Sequence, residues 1–133
     1  MSPMHHVEQY GISTVIHVDH DLDIASSPLL EASIRLAEDG KARRIIVSLE
    51  RCTYCDANGL TVLLRAKKRN GLSFALVVPD GSQCRRVFEV TGLSKCLSLF
   101  PSLERALDTS PAAFSAADRL GRPAVDIPLG VAI

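Results

Sequence analysis

The central part of this chain reads ARRIIVSLERCTYCDANGLTVLLRAKKRNG over residues 42–71. It contains a nearly continuous apolar run at residues 45–49, which is typical of a strand buried on both faces of a sheet. Small or polar residues at positions 56–59 separate this run from a second stretch, in which apolar residues recur at helical spacing until Asn70 and Gly71 close it. The stretch therefore predicts a buried strand followed, after a short junction, by an amphipathic helix.

The helix after the junction is expected to cover residues 58–69. Its expected inner face consists of Leu60, Leu63 and Leu64, with the stem of Lys67 beside them. Asp56 or Asn58 can cap this helix, because either side chain accepts hydrogen bonds from exposed backbone NH groups and the positive end of the helix dipole favours a carboxylate. Gly59 permits close packing or an unusual backbone angle.

The same strand–helix pattern continues along the rest of the chain. HVEQY and STVIHV flank Gly11 and predict a hairpin. Ser27, followed by Pro28, is expected to cap a first helix, and Ser82 and Ser102 are expected to start the last two. The resulting order β-β-α-β-α-β-α-β-α predicts an α/β fold, with a mixed, largely parallel sheet of four to five strands and about four α-helices.

Charge is distributed unevenly along a chain of 133 residues with zero formal net charge. Residues 1–40 carry seven acidic side chains and one basic one, whereas residues 41–69 carry eight basic and two acidic ones. Internal pairing of the two halves is the simpler explanation, and a two-signed surface that orients a protein partner is the alternative. Nucleic acid is not expected as a partner, because the basic residues come without net positive charge or many aromatic residues.

The composition changes after residue 108. Residues 1–108 are expected to form the domain. Residues 109–133 contain three prolines and show no clear period. They predict a tail that is loosely ordered, or docked on the domain or on a second subunit, which would make a homodimer. No secretory signal or membrane-length apolar run occurs, and four cysteines at irregular spacing suit a reducing compartment. We therefore expect a cytoplasmic protein without membrane insertion.

Motifs for catalysis or metal binding give little support for either function. Cys52 and Cys55 have CxxC spacing, but zinc needs two further ligands, and Cys84 and Cys96 do not form a second close pair. Buried apolar thiols are the favoured interpretation. The run HVDHDLD, residues 17–23, is expected to be an acidic surface loop rather than a metal site. We predict that the protein is not an enzyme, and that it needs no cofactor or metal.

Three segments together resemble one known family. RIIVSLERCTYCDANGLTVLLRAKKR resembles the central segment of STAS domains, the family of bacterial anti-sigma factor antagonists. VFEVTGLSKCLSLFPSLERAL is similar to the third helix, Thr-Gly-Leu turn, last strand and final helix of that family. HVDHDLDIASSPLLEASI resembles the family's first turn and helix, with Asp23 matching the motif aspartate. The resemblance covers residues 7–108.

The resemblance implies a function and one departure from it. In the family, an antagonist docks through the strand–helix junction onto an anti-sigma factor with an ATP-binding kinase fold. That kinase phosphorylates the first serine after the motif aspartate. Here Ala57 occupies that position and Asn58 occupies the next, so no phosphate is expected at the usual place. The partner-binding residues that this implies are Asp56, Ala57, Asn58, Gly59, Thr61, Asp21 and Asp23.

Other interpretations stay open at the level of sequence. Thr61, Thr53 and Ser27 remain candidate phosphate acceptors, although Thr61 lies a turn inside the predicted helix. The partner need not be a kinase, because small STAS adaptors also occur in lipid-transport ABC complexes. A third class of STAS domain senses small ligands, but the sequence identifies no pocket for one.

Overall fold

The computed structural model describes residues 6–109, which form one five-stranded sheet with helices on both faces. The strands are β1 (His6–Tyr10), β2 (Ser13–His17), β3 (Arg44–Ser48), β4 (Phe74–Val77) and β5 (Leu99–Phe100). The helices are α1 (Ser27–Asp39), α2 (Ala57–Asn70), α3 (Gln83–Thr91) and α4 (Leu103–Asp108). The predicted α/β fold class, with its mixed sheet and four helices, is confirmed.

The strands lie side by side in the order in which they occur along the chain. β1 pairs antiparallel with β2 as the predicted hairpin, and every later pair is parallel. Because crossovers between parallel strands are right-handed, this order places α1, α2 and α3 on one face of the sheet. Alternation along β3 matches this, since Ile45 and Val47 pack in the core beneath these helices while Ile46 packs in a smaller core with Ala106 of α4.

The inner face of α2 differs from the prediction. Its buried side chains are Val62, Leu63 and Ala66, whereas Leu60 and Leu64 are half-buried and pack at the edges of the core. The helix also starts one residue earlier than expected and ends one residue later. The first turn of α2 approaches the loops that carry Leu22 and Cys55 closely, which the missing side chain of Gly59 permits. This contact sets a rotation of the helix that apolar spacing alone does not determine.

The start of α1 also corrects the prediction. Ser26 is the N-cap residue, and Ser27 is a buried residue inside the helix. The Ser27 hydroxyl donates to the carbonyl oxygen of Asp23 at 2.6 Å. The carboxylate of Asp23 accepts hydrogen bonds from the backbone NH groups of Ala25 and Ser26, at 3.0 and 2.9 Å. Asp23, four residues before the first residue of α1, therefore holds the turn that leads into the helix, while the N-cap Ser26 makes no side-chain capping bond.

Oppositely charged residues of α1 and α2 pair within the domain. Arg69 Nε lies 2.9 Å from Glu38 Oε2, and Arg69 Nη2 lies 3.4 Å from Glu31 Oε2. Internal pairing therefore accounts for part of the uneven charge distribution. Each such pair is partly exposed and adds little to stability.

The predicted tail begins at the edge of the described residues. Residues 110–133 lie outside them, so the proposed docking of the tail and a homodimer through it stay predictions. Within residues 6–109, no helix has the length and apolar character needed to cross a membrane.

Candidate functional site

Two loops meet at the carboxyl ends of β2 and β3. One precedes α1 and the other is the junction segment, residues 49–56, which leads into α2. They are joined by a short parallel bridge, in which Leu22 NH donates to the Tyr54 carbonyl at 2.8 Å and Asp56 NH donates to the Leu22 carbonyl at 3.0 Å. The Thr53 hydroxyl adds a bond of 2.8 Å to the Asp21 carboxylate. These contacts hold the residues before α1 beside the start of α2.

Asp56 is the N-cap of α2. Its Oδ1 accepts hydrogen bonds from the NH groups of Asn58 at 2.9 Å and Gly59 at 3.3 Å. These donors would otherwise lack an intrahelical partner, and a carboxylate suits the positive end of the helix dipole. The predicted capping role of Asp56 is confirmed.

Gly59 lies in this first turn, on its inner side, and is buried. A Cβ atom at this position would lie 2.8 Å from Leu22 Cβ and 2.9 Å from Cys55 Sγ, closer than such atoms approach one another. The absence of a side chain therefore lets the helix start pack onto both loops. Gly59 contributes to the site through this packing and not as an exposed contact.

The outer side of the same turn is exposed. We define the junction surface as Ala57, Asn58 and Thr61, all of which are exposed. It borders a groove of about 400 Å³ between α1 and α2. The groove is lined by Ile24, Ser27, Pro28, Glu31, Asn58, Thr61, Val62 and Arg65. Ile24 is 74% exposed, so the groove carries an apolar side chain within reach of a partner.

The two predicted acidic neighbours differ in their surroundings. Asp21 is exposed, and its side chain joins the junction segment through Thr53. Asp23 is directed into its own loop, and the hydrogen bond from the Ser26 backbone, followed by that from the Ser26 hydroxyl, lowers the pKa of the Asp23 carboxyl. Asp23 thus supports the start of α1, while Asp21 faces the surface beside the junction.

The cysteines of the CxxC motif are buried, as predicted, and neither forms a disulfide. The sequence did not indicate that Cys84 meets Cys52, with a distance of 3.7 Å between the two sulfur atoms. The spacing of the two cysteines along the chain does not predict this pair, because Cys84 is brought to Cys52 by the packing of α3 against the junction segment. Within residues 6–109, no three His, Cys, Asp or Glu side chains are arranged to hold a metal ion.

The fold and the capped strand–helix junction have the form seen in one family. Residues 4–106 match the STAS domain, so the chain belongs to the STAS domain family.

Solved structures with similar folds include several antagonist proteins. The chain is similar to an anti-sigma factor antagonist from Mycobacterium paratuberculosis, with 25% sequence identity and a TM-score of 0.72 over 78% of this chain and 90% of that one. It is also similar to the Bacillus cell fate determinant SpoIIAA in its phosphorylated form, with 24% identity and a TM-score of 0.58 over 78% and 96% of the two chains.

A third similar structure belongs to a transporter family. It is a sulfate transporter family protein from Wolinella succinogenes, with 16% identity and a TM-score of 0.60 over 84% of this chain and 88% of that one. At this identity the similarity, like that to SpoIIAA, shows a shared fold.

Proposed function

We propose that this protein is an antagonist-type regulator that binds a kinase-fold anti-sigma factor through the junction surface and lacks the usual phosphorylation switch there. The observation that carries the proposal is the exposed methyl group of Ala57 in the first turn of α2, directly after the capping Asp56. At the position where the family resemblance places a phosphate-accepting serine, this chain has no hydroxyl. The role is one of binding, without catalysis.

The geometry around Ala57 supports docking by a protein. Asn58 and Thr61 extend the exposed surface along α2, and the exposed Asp21 adds a negative charge at the junction segment, where it is bonded to Thr53. The adjacent groove offers the exposed Ile24 as an apolar contact. Protein interfaces gain most of their binding energy from a few such side chains, which are surrounded by polar contacts.

Other hydroxyl groups near Ala57 are poor substitutes for the missing serine. The Thr61 hydroxyl donates to the Ala57 carbonyl at 2.8 Å, one turn inside the helix. Thr53 is bonded to Asp21, and the hydroxyl of the buried Ser27 is bonded to the Asp23 carbonyl. Phosphorylation at any of them would first have to break an internal hydrogen bond, so we propose that the surface stays competent to bind.

The docking surface is tested by placing a large, charged side chain at position 58. Asn58→Arg should weaken binding to a kinase-fold anti-sigma factor from the source genome by about tenfold or more, the size expected when a central interface position is disrupted. Isothermal titration calorimetry measures the affinity, and urea unfolding checks that the fold is retained.

The matched control is Val90→Arg, at a 79% exposed position on α3. It should bind like the unaltered protein. Equal affinities for the two variants would contradict the assigned surface. Capture of an ABC transporter ATPase, with no binding to any anti-sigma factor, would instead support the adaptor function.

A further inference from the structure

Two thiols meet where the junction segment packs against α3. Cys52 lies in that segment, and Cys84 lies in the first turn of α3, 32 residues further along the chain. Their sulfur atoms are 3.7 Å apart, and Cys84 Sγ is 3.2 Å from the Cys52 carbonyl oxygen. Both are buried, at 3% and 0% exposure. The Cys84 thiol therefore connects α3 to the junction segment, which also carries Asp56.

The two thiols are unequal in acidity. The hydrogen bond from the Cys84 thiol lowers the pKa of Cys52, and the same contact raises the pKa of Cys84. Thiolate, which is the nucleophilic form, therefore develops on Cys52 first. Cys55 differs from both, because burial raises its pKa to about 12 and its sulfur packs beneath Gly59. The reactive partner of Cys52 is thus Cys84 and not its CxxC neighbour.

Access to Cys52 requires only a local movement. Arg51, Thr53 and Tyr54 are exposed, so the residues on both sides of Cys52 already lie at the surface. Local opening of a loop occurs at a much lower free energy than global unfolding. Local opening of the junction segment would therefore expose the Cys52 sulfur to a small oxidant without unfolding the domain.

We propose that Cys52 and Cys84 form a reversible redox site, which a hydroperoxide oxidises to an intramolecular disulfide. The Cys52 thiolate attacks the peroxide, so that an S–O bond forms while the O–O bond breaks, and the second oxygen leaves as water or an alcohol after taking up a proton. The Cys84 sulfur then attacks the sulfenic acid, the S–S bond forms, and the hydroxyl leaves as water with the Cys84 proton. The two thiols lose two electrons to the peroxide, and a dithiol reductant returns them by exchange.

Disulfide formation would move the junction segment. A disulfide bond is about 2.05 Å long, so the sulfur atoms must approach from their present 3.7 Å. The segment carries Thr53 and Asp56, which hold the loop before α1 and the start of α2 in place. Resting on the proposed function, we expect oxidation to weaken partner binding about tenfold, the scale of losing one charge-assisted hydrogen bond.

The chemistry is tested on the full chain without any partner. The reduced protein is treated with hydrogen peroxide, remaining thiols are alkylated, and peptides are mapped by mass spectrometry without reduction. We expect a Cys52–Cys84 linked peptide that disappears with dithiothreitol. Cys84→Ser should instead accumulate a sulfenic acid on Cys52, detected by dimedone, and Cys96→Ser, which alters the exposed cysteine, should form the link normally.

The map of the unaltered protein decides the proposal even if a variant fails to fold. A dominant Cys52–Cys55 link, or Cys52 and Cys84 that remain fully alkylatable while Cys96 is oxidised, would overturn it. Affinity for the anti-sigma factor is then compared before and after oxidation, and an unchanged affinity would refute the effect on docking. Failure of the reduced protein to bind any anti-sigma factor would refute the proposed function and leave the disulfide result intact.

Discussion

Four consecutive residues at the start of α2 have three distinct roles. The Asp56 side chain is engaged with the NH groups of the first turn, whereas Ala57 and Asn58 are exposed. One residue further on, Gly59 turns inward and lets the helix contact Leu22 and Cys55. The cap and the inward packing therefore hold the turn in one conformation while its outer side stays exposed. Such a preformed surface lowers the entropy cost of binding a protein.

Replacing Gly59 with alanine tests the packing beneath this surface. The added methyl group would overlap Leu22 and Cys55, at a cost of about 1–3 kcal/mol for overpacking, while the better helix propensity of alanine returns up to about 1 kcal/mol. We expect a net decrease of about 1–2 kcal/mol in the free energy of unfolding, measured by urea denaturation.

Gly40→Ala is the matched control. Gly40 has φ −79°, and a Cβ there would come no closer than 3.4 Å to the nearest atom, a backbone oxygen of Leu36. Its free energy of unfolding should stay within about 0.5 kcal/mol of that of the unaltered protein. If Gly59→Ala were equally well tolerated, the close approach of α2 to the two loops would be refuted.

Among the helices and strands, the features that depend on neighbouring residues could be predicted from the sequence. The apolar run of β3, the caps at Asp56, Ser82 and Ser102, and the order of strands and helices could all be inferred from neighbouring residues. Each of these depends on hydrogen bonds or side-chain spacing within a few positions of the chain.

What the sequence did not reveal depends on contacts between distant parts of the chain. The bridge between Leu22 and Cys55 and the pairing of Cys52 with Cys84 are fixed only when the sheet brings separate loops together. The rotation of α2 likewise depends on how Gly59 packs. Apolar spacing alone therefore placed Leu60 and Leu64 on the inner face of the helix, where the structure has Val62 and Ala66.

Asp23 should make the stability of the folded protein depend on pH, because it holds the turn before α1 as a carboxylate. Its pKa is lowered in the folded state, so the ionised form adds stability above the unfolded-state pKa of about 4, and this contribution is lost as pH falls through the folded-state pKa. Urea unfolding from pH 7 to pH 3 should show a gap between the unaltered protein and Asp23→Ala that narrows below about pH 4.

Asp23→Asn provides the control for this titration. Asparagine keeps an oxygen that can accept the backbone hydrogen bonds but does not ionise, so its loss at pH 7 should be smaller than that of alanine. A gap between the unaltered protein and Asp23→Ala that stays constant from pH 7 to pH 3 would show that the carboxylate of Asp23 does not contribute through its charge.

At the scale of the whole molecule, the topology places the proposed functions at one end of the sheet. Because β2, β3 and β4 are parallel, the loops that follow them gather at the same end of the sheet. The junction surface, the groove beside α1 and the Cys52–Cys84 pair all lie there. In open α/β sheets, ligands commonly bind outside the carboxyl ends of the strands, at this same end.

The proposed function requires that Ala57 removes the phosphate switch while leaving the docking surface in place. The most direct test incubates the unaltered protein and Ala57→Ser with a kinase-fold anti-sigma factor and ATP, and follows complex formation and phosphopeptides by mass spectrometry. We predict a stable complex without phosphate on residues 56–61 for the unaltered protein, and phosphate on the new serine, whose added charge of about −2 releases the partner, for Ala57→Ser. Stoichiometric phosphate on Thr61 of the unaltered protein, or a complex of Ala57→Ser that never becomes phosphorylated, would contradict the claim.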